Sequence, residues 1–358
     1  MGYFLYLTQD GELYSIPEYE NTRLSESYEN SSRLIMKGVK DFLYKYALKY
    51  DGSLWTFRVD SATMEILQKP GKLMDHVERI FSSSMVYGVD LFLKDDKTLW
   101  SYNGNEYGQC GNGEHGDLDD TTQDCLVSEP YQMAENVIDA WTINFTTFYL
   151  TENNELYACG QNDYDLMLTG GNEQMDLDDY PKYIATPVLV MKNVKQAGCG
   201  DNDVYVVKTD YTLWSWGNAD KGTLGNGIFF EGATASNADL FGRWLSGEAL
   251  YCQPTRILEN VERLCPETAG LHFAVKTDGS VWYWGYGLIY VDKDDVWDME
   301  TNTKNGEGGV MSSYQKHYII PTPTEFSVNT FFHNALDSIA AREGIDTSQY
   351  QAVKYIDD

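Results

Sequence analysis

The residues best suited to chemistry sit in "TLWSWGNADKGTLGNG", positions 212–227. Gly217, Gly222, Gly225 and Gly227 follow a strand-like aromatic run with Lys221 among them, and such a loop can turn backbone N–H groups toward a phosphate. That chemistry needs one loop, delivering its N–H groups to the start of a helix. The other reactive side chains are scattered. His76, His115, His272, His317 and His333 lack any HxxxH spacing, and His272, beside Phe273 on a strand, reads as a core residue. Cys110, Cys125, Cys159, Cys199, Cys252 and Cys265 make no CxxC pair, which points to free buried thiols in a reducing setting rather than to a disulfide frame or a zinc site. Three acidic clusters supply carboxylates: Asp117, Asp119 and Asp120; Asp176, Asp178 and Asp179; Asp292, Asp294 and Asp295. None has the D-x-D-x-D-G order of a calcium loop, and solvated loop charge is the plainer reading. With no GxSxG or HExxH, the expectation is no catalytic residue, no metal and no cofactor.

Composition narrows the partner. The 358 residues carry 26 basic and 55 acidic side chains, a formal net charge of −29. Phosphate backbones and anionic membranes are repelled by such a surface, whereas a protein with a basic patch is drawn to it. No apolar run reaches the roughly 18 residues a membrane span needs, so no membrane insertion is expected. The start, "MGYFLYLTQDGELYS", lacks a basic n-region and breaks at Thr8-Gln9-Asp10. It reads as cytoplasmic as written, or as secreted or cell-surface if a leader has been removed.

Self-similarity then decides what the glycine loop is. Six segments share one register: 7–15, 48–56, 93–101, 150–158, 207–215 and 275–283. Each runs from an apolar residue through two polar ones to Asp or Asn (Asp10, Asp51, Asp96, Asn153, Asp210, Asp278), then a turn residue, then aliphatic plus aromatic. That is a hairpin signal, and each unit is expected to hold a two-stranded hairpin. Upstream of five of them lies a short valine strand, at 37–42, 75–80, 135–140, 192–197 and 259–264. "LWSYNGNEYGQCGNG" (99–113) aligns without gaps on "LWSWGNADKGTLGNG" (213–227), with Asn103 on Gly217. "LYACGQNDYDLMLTGG" (156–171) is a decayed copy. A loop that recurs, and runs into polar linker rather than helix, is a bend between repeats.

These units resemble the repeat of the regulator of chromosome condensation family, whose pattern is a hairpin followed by a "WSWG.N..GQLG.G" tail. The match covers about residues 1–330, with the third and fifth units the most specific. The resemblance implies an all-β fold: a β-propeller of four-stranded blades, six by count here where the family commonly closes with seven. The chain starts in mid-unit, and "PTEFSVNTFF" (323–332) offers a strand to complete the first blade, so N- and C-terminal strands are expected to close the ring. Residues 1–332 are thus read as the propeller. Residues 333–358 form a tail, in which Leu336, Ile339 and Ala340 suit a short helix with Gly344 as its C-cap. The Tyr- and Asp-rich character reads as bacterial.

Relatives exchange nucleotide on small GTPases, bind chromatin or inhibit β-lactamase, tasks the resemblance alone does not choose among. The charge argues against chromatin, and no insertion stands out as an exchange wedge. The longest connections, 228–252 and 288–320, carry Phe229, Phe230, Phe241, Trp244, Tyr290 and Trp297. Long loops on a rigid frame are where binding concentrates, and aromatics there are candidate anchors. The sequence is therefore read as a monomeric, non-enzymatic scaffold that grips a protein with these aromatics, steered by an acidic face. A carbohydrate-binding or enzyme-inhibitory propeller is the alternative.

Overall fold

The computed structural model describes residues 3–17, 32–59, 66–82, 88–116, 125–162, 165–168, 182–200, 202–218, 222–227, 251–265, 270–293, 315–326, 334, 338 and 350–352. They form six antiparallel sheets, the blades. The first holds β1 (Tyr3–Leu7), β2 (Glu12–Pro17) and β3 (Arg33–Lys37). The second holds β4 (Val39–Leu43), β5 (Tyr46–Lys49), β6 (Leu54–Val59) and β7 (Ile66–Met74). The third runs through β8 (Val77–Ser82), β9 (Val89–Lys94), β10 (Leu99–Gly104) and β11 (Leu126–Ala134). The fourth comprises β12 (Val137–Ile143), β13 (Thr146–Thr151), β14 (Glu155–Gln161) and β15 (Tyr183–Lys192). The fifth comprises β16 (Val194–Cys199), β17 (Asp203–Lys208), β18 (Leu213–Asn218) and β19 (Tyr251–Leu258). The sixth has β20 (Val261–Cys265), β21 (Leu271–Lys276), β22 (Val281–Lys293) and β23 (Gln315–Glu325), and β24 (Tyr350–Ala352) pairs with β22. No helix among the described residues is long and apolar enough to cross a membrane.

The chain divides into two compact units, residues 1–153 with 157–161 and 183–188, and residues 154–156, 162–182 and 189–358. In the first, Leu13, Ile35 and Met36 pack on Val39, Ala47 and Phe57, and Tyr46, Leu48 and Leu54 pack on Val77 and Phe92. In the second, Tyr205, Val207 and Leu213 pack on Val261, Leu264 and Trp284. Every sheet thus contributes alternate apolar side chains to a layer shared with its neighbour in the same unit.

One backbone device repeats with the sequence. The turn of each hairpin places a residue at positive φ: Gly11, Gly52, Lys97, Asn154, Tyr211 and Gly279. Five of these carbonyls accept the N–H of the valine that opens the next sheet, Val39, Val77, Val137, Val194 and Val261, at 2.8–3.0 Å. The residue before each valine (Gly38, His76, Asn136, Asn193, Asn260) is also left-handed. Its carbonyl returns the bond, accepting the N–H of Tyr50, Asp95, Glu152, Thr209 or Thr277 in the following hairpin at 2.8–3.1 Å. Gly and Asn recur here because they enter the left-handed region at least cost.

Three sequence expectations change. Residues 323–325 are not a separate closing strand but the end of β23, with Thr324 opposite Tyr283 and Glu325 opposite Trp282. Pro321 and Pro323 hid this continuity, yet an edge strand tolerates proline because its outward N–H needs no partner. Residues 327–332 lie outside the described residues, and the first sheet has three strands among those described. The connection 288–320 is also part ladder, since Gly287–Tyr290 pair with Gln315–Tyr318. Finally, the tail contributes a strand, β24; Asn334 and Ser338 are helical, while Leu336, Ile339, Ala340 and Gly344 lie outside the described residues.

Candidate functional site

The glycine loops are built as clamps. Gly108, Gly111 and Gly113 have φ of 80°, 67° and 84°, and the Gly113 N–H donates to the Ala185 carbonyl of β15 at 2.9 Å. A Cβ on Gly108 would stand 2.5 Å from the Ala185 Cα. Gly222, Gly225 and Gly227 repeat this against β23, with the Gly227 N–H on the Pro321 carbonyl at 2.8 Å. The Ser101 hydroxyl donates to the Cys110 carbonyl at 2.8 Å, and Ser215 to Leu224 at 2.6 Å, closing each loop onto its own sheet. N–H groups a phosphate would need are therefore spent on the neighbouring strand or, as for Gly108, Gly111 and Gly225, within the loop itself. Asn103 takes φ of 73° where Gly217 takes 109°, as the alignment of the two loops implies. The decayed fourth copy keeps one more feature: Asn162 Oδ1 accepts the Met167 N–H at 2.9 Å, as Asn105 Oδ1 accepts that of Cys110 at 2.8 Å.

The hairpin turns carry a second constellation that the sequence reading missed. In the second, third, fifth and sixth sheets, Asp51, Asp96, Asp210 and Asp278 each accept the hydroxyl and the N–H of the residue two positions on. That hydroxyl, of Ser53, Thr98, Thr212 or Ser280, accepts in turn the indole N–H of Trp55, Trp100, Trp214 or Trp282 at 2.8–3.0 Å. Lys49, Lys94, Lys208 and Lys276 lie over those indoles at 4.1–5.2 Å. The hydroxyl donors hold all four carboxyls below their ordinary value. The first and fourth sheets substitute stacked tyrosines, Tyr6 on Tyr14 and Tyr149 on Tyr157, with Lys37 on Glu12 and Lys192 on Glu155. The signal was present as K-x-D-x-[ST]-x-W at fixed spacing.

Two buried polar clusters bear on catalysis. The Tyr46 hydroxyl donates to Asp90 Oδ2 at 2.5 Å, Ser82 and Asn103 also donate to that carboxylate, and Lys45 Nζ lies 3.4 Å away. Burial and the Asp90 charge push the Tyr46 phenol far up, so it is a fixed donor rather than a base. In the other unit the Tyr205 hydroxyl shares its one proton between Asp203 Oδ2, 3.0 Å away, and the Thr223 carbonyl, 2.5 Å away, with the His272 ring 4.5 Å off and tilted by 42°. Asp203, Tyr205 and His272 are at most 3% exposed, so no dissolved substrate reaches them. The Cys110 thiol is pushed up to about 12 by burial, and burial raises Cys159 further. Cys110, Cys125, Cys159, Cys199 and Cys265 are free. Among the described residues no His, Cys, Asp and Glu converge on a metal position.

No family model matches the chain. It is similar to the ultraviolet-B receptor UVR8 of Arabidopsis thaliana, 23% identical over 231 residues, which are 64% of this chain and 44% of the receptor. The chain thus spans less than half the length of that relative. Among solved structures it is similar to Prp20p of Saccharomyces cerevisiae, 16% identical with a TM-score of 0.50, over 92% of this chain and 76% of that one. The same yeast protein, named RCC1 (Prp20) and bound to Kap60, gives 17% identity and a TM-score of 0.48 over 79% and 68% of the two chains. The fold is a divergent β-propeller similar to that of RCC1.

The site residues expected from sequence fall mostly beyond reach in this RCC1-like frame. Phe229, Phe230, Phe241, Trp244, Trp297, Asp117, Asp119, Asp120, Asp176, Asp178, Asp179, Asp294 and Asp295 lie outside the described residues. Tyr290 and Asp292 stand on β22, opposite Gln315 and Gln351. Exposed aromatics at hairpin turns were missed: Tyr50, Tyr211, which is left-handed at a φ of 64°, and Tyr44. Tyr44, in the turn joining β4 and β5, is 59% exposed at a φ of 57°. Asn144 holds the matching turn of the fourth sheet at a φ of 48°. A bulky side chain in that region costs about 1–2 kcal/mol. Within its sheet Tyr44 projects at the end from which the β6–β7 connection also leaves, because strands alternate in direction.

Proposed function

We propose that this chain is a non-enzymatic protein-interaction scaffold that binds one partner through the ends of its blades where third strands connect to fourth. The observation that carries the reading is Tyr44: an exposed aromatic at a left-handed turn, where Asn144 meets the same backbone need at less cost. Strain that the fold does not require fits a residue retained for contact. Phe229, Phe230, Phe241, Trp244, Tyr290 and Trp297 would add anchors from the long connections, and the net charge of −29 favours a partner with a basic patch. Prp20p, whose fold is similar, has binding properties toward Gsp1p and histones, which supports a protein rather than a small molecule as ligand.

The test is affinity capture from the source organism with wild type beside Tyr44→Asn and a Phe230→Ala/Trp244→Ala double variant. A protein held by wild type, released by raising salt and lost from the variants while their circular dichroism is unchanged supports the scaffold. Retention by all three moves the contact to the other end of the blades. A wild-type bait that holds nothing specific ends the reading.

A further inference from the structure

The sixth sheet differs from the others in how far its outer hairpin reaches. β22 is 13 residues long, whereas β6, β10 and β18 have six and β14 has seven. Its pairing with β21 stops at Gly285, opposite Leu271, with the Tyr286 N–H on the Gly270 carbonyl at 2.9 Å. Pairing with β23 goes on to Tyr290, opposite Gln315. A two-stranded arm therefore projects past the blade, and such a ribbon is marginal in water without a third strand.

The described residues of the C-terminal segment meet this hairpin at three places. Asn334 donates its amide to the Tyr283 hydroxyl at 3.1 Å, where β22 is still inside the blade. The Ser338 hydroxyl accepts the Ile319 N–H at 2.8 Å, and Ile319 lies opposite Tyr286, midway along. Tyr350, Gln351 and Ala352 then pair antiparallel with Lys293, Asp292 and Val291, just beyond the last residue that β23 reaches. Three points in chain order meet three successive levels of the hairpin, a progression a tail resting by chance would not produce. The final contact is backbone pairing, which any extended segment offers in the same register.

We propose that the arm is a strand-addition site and that the chain's own C-terminal segment is its resident occupant, a strap held at Tyr283 and Ile319 and closed by β24. Only three residues close it, so an extended peptide presented at the arm competes with a short ladder.

Hydrogen exchange on the full chain tests this, comparing wild type with Gln351→Pro, which puts a proline at the centre of the three-residue strand, where a ladder tolerates it poorly. Amides of Val291–Lys293 are expected to exchange at least about tenfold faster in the variant, with those of β17 unchanged. Ser338→Ala, which leaves the strand intact, should raise exchange at the same amides by a smaller factor. A labelled peptide of residues 345–358, added in trans, should bind the Gln351→Pro chain and not wild type. Unchanged exchange at Val291–Lys293, or peptide uptake by both proteins or by neither, overturns the proposal.

Discussion

Replacing Gly108 by alanine separates a clamp from a flexible bend, because Gly113 in the same loop supplies the internal control. Both glycines have φ near +80°, at 80° and 84°, so both substitutions carry the backbone cost of an L side chain in left-handed territory. That cost is about 1–2 kcal/mol, offset by roughly 0.4–1 kcal/mol from the freedom lost by the unfolded chain. Gly113→Ala should therefore cost about 1 kcal/mol, since its nearest neighbour, Thr186 Oγ1, is 3.8 Å from the new Cβ. Gly108→Ala meets the Ala185 Cα at 2.5 Å and its Cβ at 2.6 Å, backbone-borne atoms that cannot swing away. Overpacking of that kind adds about 1–3 kcal/mol, for a total near 2–4 kcal/mol. Gly222→Ala should fall between, because its closest neighbour is the Ile319 Cγ2 at 2.8 Å, a side-chain rather than a backbone atom, with the Pro321 Cα at 3.3 Å. Urea unfolding followed by tryptophan fluorescence gives the three values. Equal losses for Gly108→Ala and Gly113→Ala, within about 0.5 kcal/mol, would refute the claim that this loop is pressed onto β15.

The remaining predictions concern titration, thiols and the left-handed turns. Asp51, Asp96, Asp210 and Asp278 have folded values below the ordinary aspartate value, first because of the hydroxyls they accept, so whatever stability they lend is present above that ordinary value and fades as acid carries pH down through the folded values. Acid titration by NMR should show all four carboxyls below the ordinary aspartate range, and substituting Asn at the four positions should flatten the acid limb of the stability profile. Cys110, pushed up to about 12, and Cys159 should react with a disulfide reagent at pH 8 at least about 100-fold more slowly in the folded chain than in denaturant; comparable rates would contradict their burial. Asn193→Gly should leave stability within about 0.5 kcal/mol, whereas Asn193→Val, β-branched at a φ of 62°, should cost about 2 kcal/mol or more in the same urea assay.

What the sequence disclosed is what local chemistry encodes. Hairpins announced themselves because a turn residue at positive φ must stand beside Asp or Asn, and because alternation places Leu and Trp on fixed faces. The valine strands were legible for the same reason, since Asn193-Val194 or Asn260-Val261 is a two-residue code. The fourth strands were not, because Pro130, Pro187 and Pro254 interrupt their pattern and only the edge position of β11, β15 and β19 makes them tolerable. The pairing of Tyr46 with Asp90 joins residues 44 apart, and no window along the chain reveals it. β24 escaped because three residues of unremarkable type become a strand only when an arm is there to receive them. Phe229, Phe230, Phe241 and Trp244 remain an expectation read from loop length and residue type.

The bonds from opening valines to the preceding hairpin turns have an evolutionary consequence. Each is made between one turn and the next opening strand by backbone atoms alone, so it is indifferent to which repeat supplies either side. A gene that lost or duplicated one whole repeat would encode a chain in which each turn followed by a valine strand still met that valine in the right register. Repeat number can then drift without a new joint being invented, while loops such as 228–250 diverge independently of the hinges that carry them. The same backbone grammar that makes the hairpins recognisable leaves lineages free to differ in repeat count and in loop content.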